Sequence, residues 1–187
     1  METPEVLRRG VEEFDARVAQ ISDGQWDAAT PDPEWNVRDL VAHLVAENLW
    51  AVPLFAGSTI AEVGDRFDGD VLGADPKRSW AEASAPALRA AGEPEVMRRT
   101  IHLSFGDFPG HEYAMQLFAD HLIHAWDLAR AIGADEGLDP ELVETCATWF
   151  AAMEDGYRSA GVIADRPPVP DGADAQTRLL AMFGRQA

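Results

Sequence analysis

The sequence predicts a mainly α-helical protein that folds as a four-helix bundle with a long crossover connection. Apolar residues recur at intervals of three and four along most of the chain, and helix-capping residues stand at the ends of these stretches. Residues 96–105 are the exception, because their alternating, β-branched pattern predicts a short extended or β segment. With 187 residues the chain is long enough for one sizeable core, and a single domain over residues 1–187 is expected.

The first two helices are predicted from their apolar faces. The N-terminal one follows from the spacing of Leu7, Val11, Phe14, Val18 and Ile21, and the linker DAATPDPE ends it. Asn36 is a typical N-cap for the second helix. The expected inner face of that helix consists of Val37, Leu40, Val41, Leu44, Val45 and Asn48.

Capping residues predict the remaining helices. The capping-box sequence SWAE, residues 79–82, is expected to begin a helix that Gly92 ends. A long helix is expected over about residues 111–132, with Gly133 as its C-cap. Another is predicted over Asp139–Gly161, with a proline at its first position, and the segment TRLLAMFG predicts a short terminal helix.

The composition excludes several classes of protein. The 15 basic residues are outnumbered by 33 acidic ones, and the formal charge of -18 would repel a nucleic-acid backbone. No uninterrupted apolar stretch has the length of a membrane span, and the acidic N-terminus lacks the apolar core of a signal peptide. The single cysteine, Cys146, forms no internal disulfide and is expected to be buried and inert. A cytoplasmic protein with no nucleic-acid or membrane partner is therefore expected.

The segment DHLIHAWDLARAIG, residues 120–133, concentrates metal-binding side chains on an otherwise apolar helix. Asp120 and His124 lie one helical turn apart, so a carboxylate and an imidazole can reach the same divalent cation. A third ligand is expected from another helix, and His43, at the border of the second helix's apolar face, is the best candidate. Glu47, one turn after His43, is a candidate fourth ligand or general base.

Two alternatives stay open at this point. His121 and His124, at positions i and i+3, would form a different pair of ligands and leave Asp120 facing solvent. His43, taken alone, is also typical of a hydrogen-bonded core histidine.

The other polar and aromatic residues receive structural interpretations. Asp127 is interpreted as the hydrogen-bond partner of a histidine N–H or as an ion-pair partner of Arg130. His102 and His111 are interpreted as surface residues. The six tryptophans are expected in the core.

Two segments, WNVRDLVAHLVAENLW (residues 35–50) and DHLIHAWDLARAIG (residues 120–133), resemble the DinB-like metal-binding superfamily. They are similar in particular to the branch related to the N-terminal domain of mycothiol-dependent maleylpyruvate isomerase. The C-terminal PPVPDGADAQTRLLAMFGR resembles the single-domain, actinobacterial-type members. The resemblance implies a DinB-like four-helix bundle that binds one divalent metal ion. Its ligands, transferred to this sequence, are His43, Asp120 and His124.

The resemblance also implies a reaction class. The characterised members are thiol-dependent isomerases and S-transferases whose metal holds a low-molecular-weight thiol as the thiolate. Mycothiol or a similar thiol is therefore the expected cosubstrate, beside an electrophilic substrate. Two departures are visible: Asp120 stands where glutamate is frequent, and the C-terminal domain of the two-domain isomerases is not expected here. The second departure argues against maleylpyruvate isomerisation itself.

The sequence thus supports hypotheses from different functional classes. The first is a metal-dependent, mycothiol-type S-transferase or isomerase, with Glu47 as an acid/base group. The second is a non-catalytic metal-binding bundle protein of stress-response type, or a dimeric scaffold; a metal-dependent hydrolase is the third. Two imidazoles and a carboxylate favour zinc, with nickel or iron as alternatives.

Overall fold

The computed structural model describes all 187 residues as eight α-helices and one two-stranded sheet. In chain order the elements are α1 (Thr3–Val18), α2 (Val37–Ala56), α3 (Ile60–Val63), α4 (Pro76–Ala91), β1 (Thr100–Leu103), β2 (Gly106–Pro109), α5 (Gly110–Ile132), α6 (Pro140–Phe150), α7 (Glu154–Ser159) and α8 (Ala175–Met182). The mainly α-helical class with a short β segment is confirmed. The chain forms two compact units, Met1–Ala134 and Asp135–Ala187, and a single domain over the whole chain stays a prediction.

Four helices of the first unit form the expected bundle. α5 packs against α1 and α2, and α4 packs against the same two helices from the other side. The connection from α2 to α4 is the long crossover, and it contains the short α3. The largest core side chains of this unit, among them Phe14, Trp80, Phe118 and Trp126, are almost completely buried. The bundle therefore holds α2 and α5 side by side in a rigid frame.

The helix α2 begins and packs as its sequence predicts. The Asn36 Oδ1 accepts a hydrogen bond from the Asp39 N–H at 2.9 Å, and the Asp39 carboxylate accepts one from the Asn36 N–H at 3.1 Å. Leu40, Val41 and Leu44 are fully buried. By length and composition α2 would also suit a membrane span, but a single such helix is weak evidence, because a buried bundle helix has the same properties.

Two helix boundaries differ from the prediction. The helix expected to begin at the SWAE sequence begins at Pro76, because Asp75 caps it by accepting a hydrogen bond from the Arg78 N–H at 3.1 Å. Ser79 instead donates to the Leu72 carbonyl at 2.8 Å. The helix expected over Asp139–Gly161 is interrupted after Phe150, and α7 begins at Glu154. The nearly buried Glu154 carboxylate pairs with the guanidinium groups of Arg158 at 2.7 Å and Arg166 at 3.3 Å.

A β-hairpin precedes α5. Its strands pair antiparallel, with Ile101 opposite Phe108. The alternating pattern of residues 96–105 predicts β1, but it does not predict β2 or the pairing. The N-terminal part of the segment differs, since residues 96–98 form one turn of 3-10 helix. At Gly110, the first residue of α5, an added Cβ would lie 2.0 Å from the Val96 carbonyl oxygen. Only glycine fits there, and this close approach fixes the start of α5 against the preceding turn.

Candidate metal centre

Three predicted ligands from two helices meet in the first unit. The Asp120 carboxylate lies between two imidazoles: its Oδ2 is 2.9 Å from His43 Nε2, and its Oδ1 is 3.3 Å from His124 Nε2. One ligand atom from each of the three residues lies within 4.8 Å of the others. His124 and Asp120 are one turn apart on α5, and His43 comes from α2, which packs against it.

The geometry of these residues fits a single divalent ion. Bonds of about 2.0–2.2 Å from a metal to nitrogen and oxygen place neighbouring ligand atoms roughly 3.0–3.6 Å apart. His43 Nε2 lies 2.9 Å from Oδ2 and His124 Nε2 lies 3.3 Å from Oδ1, which is close to that range for each oxygen, and one ligand atom from each residue lies within 4.8 Å of the other two. Three protein ligands also leave at least one coordination position open, as sites that bind a substrate require. The donor set is therefore compatible with a metal ion, and it does not by itself identify the element.

A buried carboxylate orients His124. The His124 Nδ1–H donates to Asp127 Oδ2 at 2.9 Å, and the Asp127 side chain is fully buried. This bond holds a proton on Nδ1 and directs Nε2 at the cluster, so that Nε2 presents its lone pair there once it loses its own proton. In the metal-free protein, burial alone would lower the pKa of His124, but the carboxylates of Asp120 and Asp127 outweigh it and raise the pKa to about 9. The role of Asp127 as the partner of a histidine N–H is thereby confirmed.

An indole ring orients the other histidine. The Trp35 ring centroid lies 4.8 Å from that of His43 and 5.5 Å from that of His124. The loop holds Trp35 in place, because its carbonyl oxygen accepts hydrogen bonds from the N–H and the hydroxyl of Thr30. The expectation that every tryptophan lies in the core is confirmed for Trp80 and Trp126, which are buried, and is wrong for the other four, Trp35 among them, which are half-buried. Trp35 begins one of the two segments that resemble the DinB-like superfamily, but it lies in a loop with no periodic pattern that would predict this packing.

Glu47 lies beside the cluster but outside the group of three converging ligands. Its side chain is half-buried and forms no hydrogen bond or ion pair with the protein. Burial, with a smaller contribution from the negative charge of Asp120, raises the pKa of Glu47 to about 7, and the two nearby histidines reduce the shift. A carboxyl group with such a pKa can accept or donate a proton near neutral pH, which agrees with the acid/base role predicted from the sequence.

The alternative ligand His121 occupies a different environment. It is fully buried, its Nδ1–H donates to the Leu117 carbonyl at 2.6 Å, and its Nε2 accepts from the Asn48 side-chain amide at 3.0 Å. Its ring packs against the rings of Phe14 and Trp80. Burial lowers the pKa of His121 to about 4, so the ring is neutral. Both nitrogens are occupied, which favours Asp120 over His121 as the third ligand.

The remaining histidines lie on the surface, as predicted. His102 is on β1, where its Nδ1 is 2.8 Å from the exposed Asp107 carboxylate of β2. His111 is exposed in the first turn of α5. Neither belongs to the cluster of ligands.

Sequence reasoning also missed Tyr113, which the structure places near the site. It lies on α5 two turns before Asp120, and its ring packs against Phe55 of α2 at a centroid distance of 5.1 Å. Burial, followed by the charges of Glu47 and Asp120, raises its pKa well above the usual value, so the hydroxyl stays protonated. In the sequence, Tyr113 has the pattern of an apolar core residue, and only its helical spacing from Asp120 could have indicated that it lies near the site.

Comparison with known proteins assigns the chain to a family. Residues 7–129 match the model of the mycothiol maleylpyruvate isomerase N-terminal domain. The chain belongs to this family. The matched region contains the three candidate ligands and Glu47, and the predicted resemblance is thereby confirmed.

Two similar proteins come from Mycobacterium tuberculosis. An uncharacterized protein of strain CDC 1551 / Oshkosh is 34% identical over 180 residues, which cover 95% of this chain and 94% of that protein. An uncharacterized protein of strain ATCC 25618 / H37Rv shows the same identity and coverage. No solved structure matches the chain.

Proposed function

We propose that this member of the family binds one divalent metal ion through His43, Asp120 and His124 and uses mycothiol or a similar thiol for S-transfer or isomerisation. The convergence of the three ligand atoms within 4.8 Å is the observation that supports the proposal most directly. An ion held there supplies a positive charge that lowers the pKa of a thiol, and the thiolate is the reactive nucleophile. Zinc is the first candidate for the ion, with nickel and iron as alternatives.

The chain itself offers no accessible thiol. Cys146, the single cysteine, is buried in the second unit, and burial raises the pKa of its thiol. A nucleophilic sulfur therefore has to come from a small-molecule cosubstrate, which supports the thiol proposal.

The protein residues around the ligands have separate roles in this proposal. Asp127 and Trp35 hold the two imidazoles, so that both Nε2 atoms keep their direction. The Glu47 carboxylate, with its pKa of about 7, accepts the proton that the incoming thiol loses. The chain is strongly acidic, with a formal charge of -18, which favours small molecules over nucleic acid as partners. We propose that the protein acts in the cytoplasm.

Metal analysis tests the ligands. Purified without chelator, the protein is expected to contain about one divalent ion per chain. His43→Ala, Asp120→Ala and His124→Ala are each expected to lose most of it, because each removes a ligand atom. His102→Ala is the matched control, since it removes an exposed imidazole from the hairpin. Full occupancy in the His43 variant would show that the ligand assignment is wrong.

Spectroscopy of the cobalt-substituted protein tests the thiol. Mycothiol is expected to produce a sulfur-to-metal charge-transfer band. In Glu47→Gln, which cannot take up the proton, it is also expected to release a proton to the solvent near neutral pH, because the thiol must ionise to bind. Protein that holds its metal but shows neither signal would favour the alternative of a non-catalytic metal-binding protein.

A further inference from the structure

The two oxygens of the Asp120 carboxylate contact different imidazoles. Oδ2 lies 2.9 Å from His43 Nε2, and Oδ1 lies 3.3 Å from His124 Nε2. Each nitrogen therefore has an oxygen of its own, and the carboxylate faces the two rings with both oxygens. An ion that both imidazoles bind has to lie between the two nitrogens, and this position is in front of both oxygens rather than beside one of them.

The two imidazoles are held in place from outside the cluster. His124 donates to the buried Asp127 carboxylate at 2.9 Å, and the Trp35 ring lies against His43 and His124 at centroid distances of 4.8 and 5.5 Å. The partners of the Asp120 carboxylate are the same two imidazoles. The rings therefore determine where an ion lies, and the carboxylate meets it with the orientation that the rings give it.

The cluster is open to solvent on one side. The side chains of His43 and Asp120 are 28% and 31% exposed, whereas that of His124 is 8% exposed. Glu47, the other carboxylate beside the cluster, is not one of the three converging residues. Coordination positions that the three residues leave open therefore face the solvent side, where small molecules can reach them.

We propose that Asp120 binds the ion through both carboxylate oxygens, so that the three side chains supply two nitrogen and two oxygen donors to a six-coordinate ion. Such an ion keeps two open positions, whereas a tetrahedral ion bound by a single Asp120 oxygen keeps one. The thiolate takes one position, and an oxygen atom of the electrophilic substrate takes the other, where the ion polarises it. This inference rests on the metal-dependent thiol function proposed above.

The cobalt-substituted protein without thiol tests the binding mode of Asp120. Six-coordinate cobalt is expected to give weak d–d absorption, and a crystal structure of this protein is expected to show both Asp120 oxygens within about 2.5 Å of the ion. The stronger absorption of four- or five-coordinate cobalt, or an Asp120 oxygen outside bonding distance, would overturn the proposal.

Glu47→Gln is the matched control, because it removes the other carboxylate beside the cluster. Its cobalt spectrum is expected to equal that of the unmodified protein. A change to stronger absorption in this variant would identify Glu47 as the additional donor and refute the role of the second Asp120 oxygen.

Azide tests the second open position and separates it from the thiol function. Added to cobalt protein that shows the thiolate band of mycothiol, azide is expected to give its own charge-transfer band while the thiolate band remains. Loss of the thiolate band as azide binds, or no azide band, would refute the second position and leave the thiol function standing. If mycothiol gives no thiolate band, the thiol function fails, and the spectrum and crystal structure without thiol still decide how Asp120 binds.

Discussion

Removing the Asp127 carboxylate is expected to weaken metal binding although Asp127 does not touch the metal site directly. The carboxylate accepts the His124 Nδ1–H at 2.9 Å and is fully buried, so no water can replace it without rearrangement of α5. In its absence the imidazole can rotate or carry its proton on Nε2, and both changes remove the lone pair that faces Asp120.

The size of the effect follows from the type of bond. A hydrogen bond to a charged group contributes about 1.5–3 kcal/mol, and a neutral acceptor retains roughly half of that. Asp127→Asn is therefore expected to lower metal affinity about tenfold. Asp127→Ala, which leaves the buried N–H without its acceptor, is expected to lower it about 100-fold, in the range typical for partners of ligating histidines.

Competition with a fluorescent zinc chelator measures both affinities. Asp107→Asn is the matched control, because it alters a His–Asp pair of similar length, 2.8 Å, that is exposed on the hairpin and lies away from the ligands. This control is expected to bind zinc like the unmodified protein. Thermal unfolding of the metal-free variants shows whether each remains folded. Zinc affinity of folded Asp127→Ala within about twofold of the unmodified protein would refute the reasoning.

Further predictions concern the surroundings of the ligands. Trp35→Ala is expected to weaken zinc binding severalfold and Trp35→Phe to restore most of it, because a phenyl ring can still pack on His43; equal losses in the chelator assay would contradict this. His121→Leu is expected to keep the full metal content. Since burial holds the pKa of His121 at about 4, below the unfolded value near 6.5, the unmodified protein loses stability as the pH falls through this window, and the variant loses less in denaturant titrations. The pKa of Glu47 shifts in the opposite direction, from 4.5 to about 7. The free energy of unfolding therefore falls as the pH rises through this window. Glu47→Gln is therefore expected to raise the melting temperature of metal-free protein near pH 8 and not near pH 4.

Features set by local chain geometry were predictable from the sequence. Asp120 and His124, the two candidate ligands on α5, share one face because of the helical repeat. Asn36 and Gly133 cap the start of α2 and the end of α5 through local backbone geometry. His43 is 77 residues away from Asp120, and no local rule joins them. Its apolar surroundings made it a candidate, and the resemblance to a family selected it.

Features set by tertiary packing were not predictable in the same way. Trp35 precedes the N-cap of α2 in an irregular loop, so nothing in its spacing indicates that it packs on two histidines. Tyr113 has the same pattern as the core residues around it, and its role depends on what α2 places opposite. The break between α6 and α7 has neither proline nor glycine at residues 151–153 to mark it.

The position of Trp35 makes the intrinsic fluorescence of the protein a direct report on the ligands. Among the six tryptophans it is the one whose ring contacts the imidazoles of His43 and His124. An open-shell ion such as cobalt or nickel beside that indole opens a route for non-radiative decay, whereas closed-shell zinc does not. The emission of Trp35, isolated by comparison with Trp35→Phe, can therefore follow the entry, exchange and loss of the ion in real time without an added dye.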